Sequence, residues 1–278
     1  MTDSTRREPP ARLPGQADLR TVTGRPSSAR LADCLLGGKD NYEVDRQLAD
    51  DMTAVAGFLP QSAVENRQFT QRAVAVLALR GLDQYLDIGC GMPAVIPVHA
   101  AAAWPGGTGV RVVYVDHDPI VMAHSRALLT ARSPSRVGHL LSDLANTEDI
   151  LTADEVTGVL DLSRPVAVIL HAVLQELPDA TAYAAVQTLA ASLPSGSVLS
   201  ITHPTSDTAP EPMRQAADLW QKAGLPAWTL RSRSDVTRFF TGWDLLSPGV
   251  VLTADWRPRP FIGPESVCTS YAGMAVKP

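Results

Sequence analysis

Gln84-Tyr85-Leu86-Asp87-Ile88-Gly89-Cys90-Gly91-Met92-Pro93 is the stretch that decides how the chain reads. Tyr85, Leu86 and Ile88 form a short apolar run of the kind buried in a strand, and two glycines follow the acid near its end. Glycine lets the backbone turn tightly and lets a ligand lie against bare peptide. The Ala/Val-rich segment from Ala94 to Trp104 predicts a helix, whose first N–H groups and partial positive charge suit a carboxylate or phosphate. Strand, glycine turn and helix in this order predict a nucleotide-type cofactor site.

The spacing Gly89-x-Gly91-x-x-Ala94 fits the dinucleotide pattern G-x-G-x-x-G/A. Asp87 and Pro93 pull away from that choice. A pyrophosphate gains little from a carboxylate two residues before the first glycine, and Pro93 stands where a helix would approach it most closely. A carboxylate there suits an amino group, and S-adenosylmethionine carries one at its methionine end, beside a sulfonium. The pattern therefore favours S-adenosylmethionine, with an NAD(P)-dependent oxidoreductase as an alternative. Further along, Val110 to Val115 is a β-branched run ending at Asp116. At the end of a neighbouring strand such an acid can hold both ribose hydroxyls, which either cofactor needs. Asp118-Pro119 reads as N-cap and first residue of a helix through Leu129.

Asp87-x-Gly89-x-Gly91, Asp116-His117-Asp118-Pro119 and Ser142-Asp143-Leu144 resemble the successive cofactor motifs of class I S-adenosylmethionine-dependent methyltransferases. More narrowly, the chain is similar to an S-adenosyl methyltransferase family common in actinobacteria, whose members mostly lack an assigned substrate. Leu35-Leu36-Gly37-Gly38-Lys39-Asp40-Asn41-Tyr42, Glu65-Asn66-Arg67, Tyr114-Val115-Asp116, Arg164-Pro165-Val166-Ala167-Val168 and Pro248-Gly249-Val250 carry that likeness beyond the glycine turn. The resemblance implies an α/β fold with a Rossmann-like class I methyltransferase sheet of seven strands, mostly parallel with the last antiparallel, and an N-terminal helical extension. It implies cofactor contacts at Tyr42, Asn66, Asp87, Gly89, Gly91, Asp116, His117, Asp143, Leu144 and His171. Asp143 would accept from the adenine amino group, Leu144 would supply a backbone N–H, and Tyr42 would cover the cofactor. Pro97, Ala100, Cys90 and Gln175 depart from the family pattern, which has polar residues at 97 and 100, Thr at 90 and often His at 175.

With 278 residues, 45% of them hydrophobic, the chain has ample material for a core. A net charge of −5 and 5% aromatics exclude a basic, aromatic-studded nucleic-acid face. Cys34, Cys90 and Cys268 are scattered with no C-x-x-C, which points to a reduced, cytoplasmic protein. No apolar run is long enough to span a bilayer, and the polar start is not a signal peptide.

The expected organisation is a disordered or draped tail over 1–25, a helical cap over 26–81 and the cofactor-binding domain over 82–278. In the cap, one helix runs from Ser27/Ser28 to Gly37-Gly38, a second from about Asn41, and a third from Ser62 to Gly81. On the third, Asn66 heads an apolar stripe of Phe69, Ala73 and Leu77. Arg67 lies 100° round and could pair with a ligand carboxylate or with surface acids. Val137 to Leu141, Pro165 to Leu170, Ser197 to Thr202, Asp244 to Leu252 and Ser266 to Val276 read as strands, and Pro210 to Ala223 and Ser232 to Thr241 as helices.

Methyl transfer needs mainly that donor and acceptor be held in line, so no catalytic group is assigned. His171, at a strand end, is the one candidate base, with a cofactor or packing role favoured. Elbow-serine, H-E-x-x-H and Cys/His-cluster motifs are missing from the sequence, and no metal site is expected at Asp116-His117-Asp118. The expected partner is a small-molecule methyl acceptor. A non-catalytic binder of the same cofactor is the other alternative.

Overall fold

Residues 23–103, 109–258 and 268–278 are described by the computed structural model. The tail expected over 1–25 therefore lies almost wholly outside the described residues, as do Trp104 and the first residues of the strand expected from Ser266. Five parallel strands, β1 (Gln84–Ile88), β2 (Arg111–Asp116), β3 (Arg136–Leu141), β4 (Ala167–His171) and β5 (Val198–Pro204), lie in the order 3-2-1-4-5. After them come β6 (Asp244–Leu245), β7 (Val251–Leu252) and β8 (Ser270–Val276). β8 runs antiparallel to β5, and both short strands pair antiparallel with β8. The strand expected over Asp244 to Leu252 is thus split by Pro248-Gly249, because proline cannot donate to the ladder and Gly249 turns at φ 85°. The sheet still has seven positions, with an interrupted edge.

Alternation along the strands builds a core on each face. Leu86, Ile88, Val113, Val115, Val168 and Leu170 bury into one cluster, and Tyr85, Val112, Tyr114, Ala167 and Ile169 into the other. On the second face lies the longest helix of the N-terminal group, which comprises α1 (Ser28–Leu35), α2 (Glu43–Val55) and α3 (Leu59–Leu79). α3 begins at Leu59, three residues before the expected Ser62, because Pro60 suits a first helical turn. Its Phe69, Ala73 and Leu77 are completely buried against the sheet.

The helix after the glycine turn, α4 (Val98–Ala102), is only five residues long. The expected start at Ala94 fails because Pro97 drives the residue before it out of helical conformation and serves as N-cap at φ −73°, ψ 162°. The third position of the G-x-G-x-x-A spacing is thus not on a helix, and no helix N-terminus directly follows the turn. α5 (Pro119–Leu128) has the expected N-cap, with Asp118 Oδ1 accepting from Ile120 N at 2.8 Å. α6 (Thr147–Thr152), α7 (Asp154–Thr157), α8 (Asp179–Ser192), α9 (Pro210–Lys222) and α10 (Arg233–Arg238) complete the described α-helices. α9 packs on α1, α2 and the start of α3, through Met213, Ala216 and Trp220 against Leu31, Leu48, Met52 and Leu59. The helical cap is therefore closed by a segment from far down the chain, which the division at residue 81 did not foresee.

One buried cation holds the loop after β4. Arg231, 2% exposed, donates to Leu174 O and Leu177 O at 2.9 Å each, meets His203 Nε2 at 2.7 Å and reaches Asp179 Oδ1 at 2.9 Å. Burial holds the His203 ring neutral, with its pKa down to about 3, so Nε2 accepts from the guanidinium. Arg231→Ala leaves two carbonyls and an imidazole without their donor. It is expected to cost about 3–5 kcal/mol, the range for breaking a buried charged network, in chemical denaturation.

Candidate active site

The polar ends of three strands rise on the α3 face because side chains alternate. Tyr85, Tyr114 and Ile169 pack with Phe69 in one cluster, so Asp87, Asp116 and His171, two residues on, continue the same face beyond the core. β1 and β4 are adjacent although far apart in sequence, which places the site at the point where strand order reverses. One turn before Phe69, Asn66 and Arg67 of α3 reach the same place.

A cavity of about 220 Å³ runs from these strand ends beneath the helical cap. Asn66, Arg67, Asp87, Gly89, Gly91, Asp116, His117 and His171 all line it. Asp87 is buried at 8% exposure, and that burial pushes its carboxyl up to about 7 against the pull of the Arg67 guanidinium. Arg67 is lowered by its own burial and raised by Asp87. Neither has an ion-pair partner within 4 Å among the described residues. Cation and anion stand in one cavity without neutralising each other directly, an arrangement that suits the carboxylate and ammonium of an amino acid. Asn66 Oδ1 is buried without a partner, and a Cβ built on Gly91 meets nothing within 4 Å.

A second cavity of about 180 Å³ adjoins the first. Ile88, Ser142, Asp143, Leu144 and Leu177 line it, and Gly89, Asp116, His117, Val173 and Glu176 border both cavities. No Lys or Arg lines the second cavity, while three carboxylates do. That lining suits a nucleoside and repels a pyrophosphate. Asp116 also braces the turn: Oδ2 accepts from Gly91 N and Oδ1 from Asp118 N, both at 3.0 Å. A carboxylate has about four lone-pair directions, so capacity for a diol remains. Asp143 Oδ1 accepts from Ala145 N at 2.8 Å, capping a 3₁₀ turn over Leu144–Asn146, and Oδ2 has no such duty.

Two expected contacts take other forms. Tyr42 is not among the residues lining either cavity. It caps α2, its ring lies 5.0 Å from the Arg30 guanidinium, and it is 38% exposed. Arg30 is itself held by Asp45 at 2.8 Å and Asp118 at 3.5 Å. His171 lines the cavity but has both ring nitrogens engaged, Nδ1 with Thr70 Oγ1 and Nε2 with Ser200 Oγ at 2.8 Å each. Burial lowers its pKa to about 3, so the ring serves as a neutral link between α3 and β5 rather than a base. Its imidazole signals are expected to show no titration between pH 5 and 8 by NMR; a midpoint in that window would contradict this.

Glu176 was missed. It follows β4 on a 3₁₀ turn over Leu174–Glu176 and lines the main cavity together with Ser28 of α1. Burial raises its carboxyl to about 7, with His117 pulling it down and Asp116 and Asp143 pushing it up. Only the run Leu174-Gln175-Glu176-Leu177-Pro178 just past a strand end marked it in the sequence.

Residues 15–278 match the family model described as S-adenosyl methyltransferase. The chain belongs to this family. A DUF574 family protein of Streptomyces avermitilis is 34% identical, with a TM-score of 0.88 over 92% of this chain and 99% of the other. A structure from Thermobifida fusca is 35% identical, with a TM-score of 0.82 over 91% and 95%. The magnesium protoporphyrin IX methyltransferase of Synechocystis, crystallised with S-adenosylmethionine, shares the fold at a TM-score of 0.53 and 14% identity, over 96% of this chain and 100% of the other. No curated protein matches. The family's methyl donor is S-adenosylmethionine, which the unlike charges of Arg67 and Asp87 and the cation-free second cavity fit. No described helix of this methyltransferase is long and apolar enough to cross a membrane.

Proposed function

We propose that the protein transfers the methyl group of S-adenosylmethionine to a small-molecule acceptor bound beneath the helical cap. The observation that supports this is the continuity of one cavity from Arg67 and Asp87 to the cap helices, which leaves room for an acceptor beside the end of the site assigned to the methionine moiety. In this reading Asp87 holds the ammonium, Arg67 the carboxylate, and the unpartnered Asn66 Oδ1 accepts a further N–H of the ammonium. Asp116, beside His117, takes the ribose hydroxyls; Asp143 and the Leu144 backbone take the adenine edge. When bound, the donor supplies a methyl on a sulfonium, a leaving group that needs no protonation. The chain's own work is then alignment and exclusion of water. His171, spent on Thr70 and Ser200, ties α3 to the sheet and so fixes the distance between the two ends of the site.

Calorimetry with S-adenosylhomocysteine and with NADH tests the donor. Tight binding of the first and none of the second is expected; the reverse would overturn the assignment. A methyl-release assay over phenols, amines, acids and thiols tests the transfer. Silence across the panel from protein that binds S-adenosylhomocysteine would turn the reading to a non-catalytic binder.

A further inference from the structure

The main cavity has two chemically different halves. On the sheet side it is lined by Arg67, Asp87, Asp116, His117 and Glu176. On the cap side α1, α2, the start of α3, α9 and Trp228 contribute Leu31, Leu35, Met52, Leu59, Met213 and two indoles. Not one charged side chain from those cap-side elements lines the cavity. Trp220 and Trp228 stack at 5.2 Å and 16°, the Trp220 N–H is spent on Pro226 O at 2.7 Å and the Trp228 N–H is buried without a partner, so an uncharged aromatic wall with one free donor faces inward. Placing an isolated charge against such a wall is unfavourable, because nothing there replaces its hydration. The volume of about 220 Å³ for the whole cavity limits the guest to a few rings once the amino-acid end of the donor is seated.

The border between the halves carries Glu176. It borders both cavities, shares the lining of the first with Ser28 of the cap, and its neighbour Gln175 accepts from Thr229 N at 2.8 Å, next to Trp228. Asp116, the other carboxylate on that border, already accepts from two backbone N–H groups.

We propose that the cap-side half is the acceptor compartment, that its guest is an uncharged one- or two-ring aromatic hydroxyl compound, and that Glu176 receives the hydroxyl proton. This rests on the sheet-side half holding the methyl donor. In the step, a lone pair of the hydroxyl oxygen forms the new O–C bond as the methyl C–S bond breaks. The electrons of that bond stay on sulfur, and the O–H proton passes to the Glu176 carboxylate. Burial pushes the Glu176 carboxyl up to about 7, with His117 pulling it down and Asp116 and Asp143 pushing it up, all at the sheet-side strand ends, while α1 brings no titratable group to the cavity lining.

The test begins with S-adenosylhomocysteine alone, whose failure to bind would sink the donor assignment rather than this proposal. With that ligand saturating, the wild-type protein is titrated calorimetrically with 2-naphthol, 2-naphthoate and 2-methoxynaphthalene. 2-Naphthol is expected to bind at least tenfold tighter than either, the carboxylate being excluded by charge and the ether lacking the proton. Equal binding of the naphthoate, or no binding of naphthol to the complex, would overturn the acceptor class. Naphthol affinity is also expected to rise between pH 6 and 8 in the wild type and to be flat in Glu176→Gln. A flat wild-type profile, or a rise that survives Glu176→Gln, would remove Glu176 from the proposal. Trp228→Ala should weaken naphthol at least tenfold with S-adenosylhomocysteine binding unchanged; loss of neither would contradict the indole wall.

Discussion

Asp87→Ala is expected to weaken S-adenosylhomocysteine binding by about 2–5 kcal/mol, roughly 30-fold to several thousandfold in Kd, the usual result of removing one partner from a buried charge pair. The fold should survive, since the substitution removes a carboxyl whose burial is unfavourable when ionised. The same residue sets a pH dependence with a definite sign. In the free protein burial holds the Asp87 carboxyl near 7, and a ligand ammonium requires the ionised form. Affinity is therefore expected to climb as pH rises from 5 to 7, by up to about tenfold per pH unit, and to level off above that. Folding stability runs the other way. A carboxyl with a raised folded-state pKa binds more protons folded than unfolded, so the free protein loses stability from the ordinary carboxyl pKa up to about 7. Calorimetry across pH with the Asp87→Ala variant as control checks both. An unchanged Kd in that variant would end the case for Asp87 as the ammonium's partner.

Gly89→Ala is expected to abolish measurable binding and lower stability, whereas Gly91→Ala should spare most of the fold. Both glycines are left-handed, at φ 74° and 63°, which costs an alanine about 1–2 kcal/mol. At Gly89 a Cβ would also stand 2.5 Å from Val173 Cγ2 and 2.6 Å from its Cβ, a branched side chain close to its own backbone that cannot swing away. Overpacking adds about 1–3 kcal/mol and pushes Val173 into the border between the two cavities. At Gly91 the added carbon meets open space, so the backbone cost alone is paid in stability, while ligand affinity falls because that space belongs to the cavity. Thermal denaturation beside S-adenosylhomocysteine titration separates the two. Val173→Ala should restore part of the loss in Gly89→Ala and none in Gly91→Ala. Equal damage at the two positions would contradict the close approach at 173.

Much of this arrangement was legible because it is local. Strand, acid, glycine turn and the second acid at 116 depend on residues a few positions apart, and strand alternation then carries Asp87 and Asp116 to one face. What was not legible depends on distant partners. Arg67 ranked low because nothing in the pattern of α3 says that the direction 100° from Asn66 opens on a cavity; the sheet and α9 decide that. Glu176 sits on a 3₁₀ turn too short to have a period. α4 was overestimated because an Ala/Val-rich run outweighed the restriction that Pro97 places on Ile96. The placement of Tyr42 outside the cavity linings was not legible because its ring lies against Arg30, a cation–π contact across two helices. His171 was rightly placed at the strand end, but its two hydrogen bonds come from Thr70 and Ser200, elements no local pattern connects.

α3 is unbroken for 21 residues and links the cap, the main cavity and the core: Leu59 in the cap, Asn66 and Arg67 beside the strand ends, Phe69 to Leu77 in the core. At 1.5 Å per residue, Leu59 and Asn66, which in the proposed reading stand beside acceptor and donor, sit about 11 Å apart on a single stiff rod. Under that proposal, reach between the two reacting molecules is set by helix length rather than by loop closure. Lengthening the rod by one residue between Ser62 and Asn66 would advance one end by about 1.5 Å and swing it through about 100°. Both guests could then still be admitted, yet never meet.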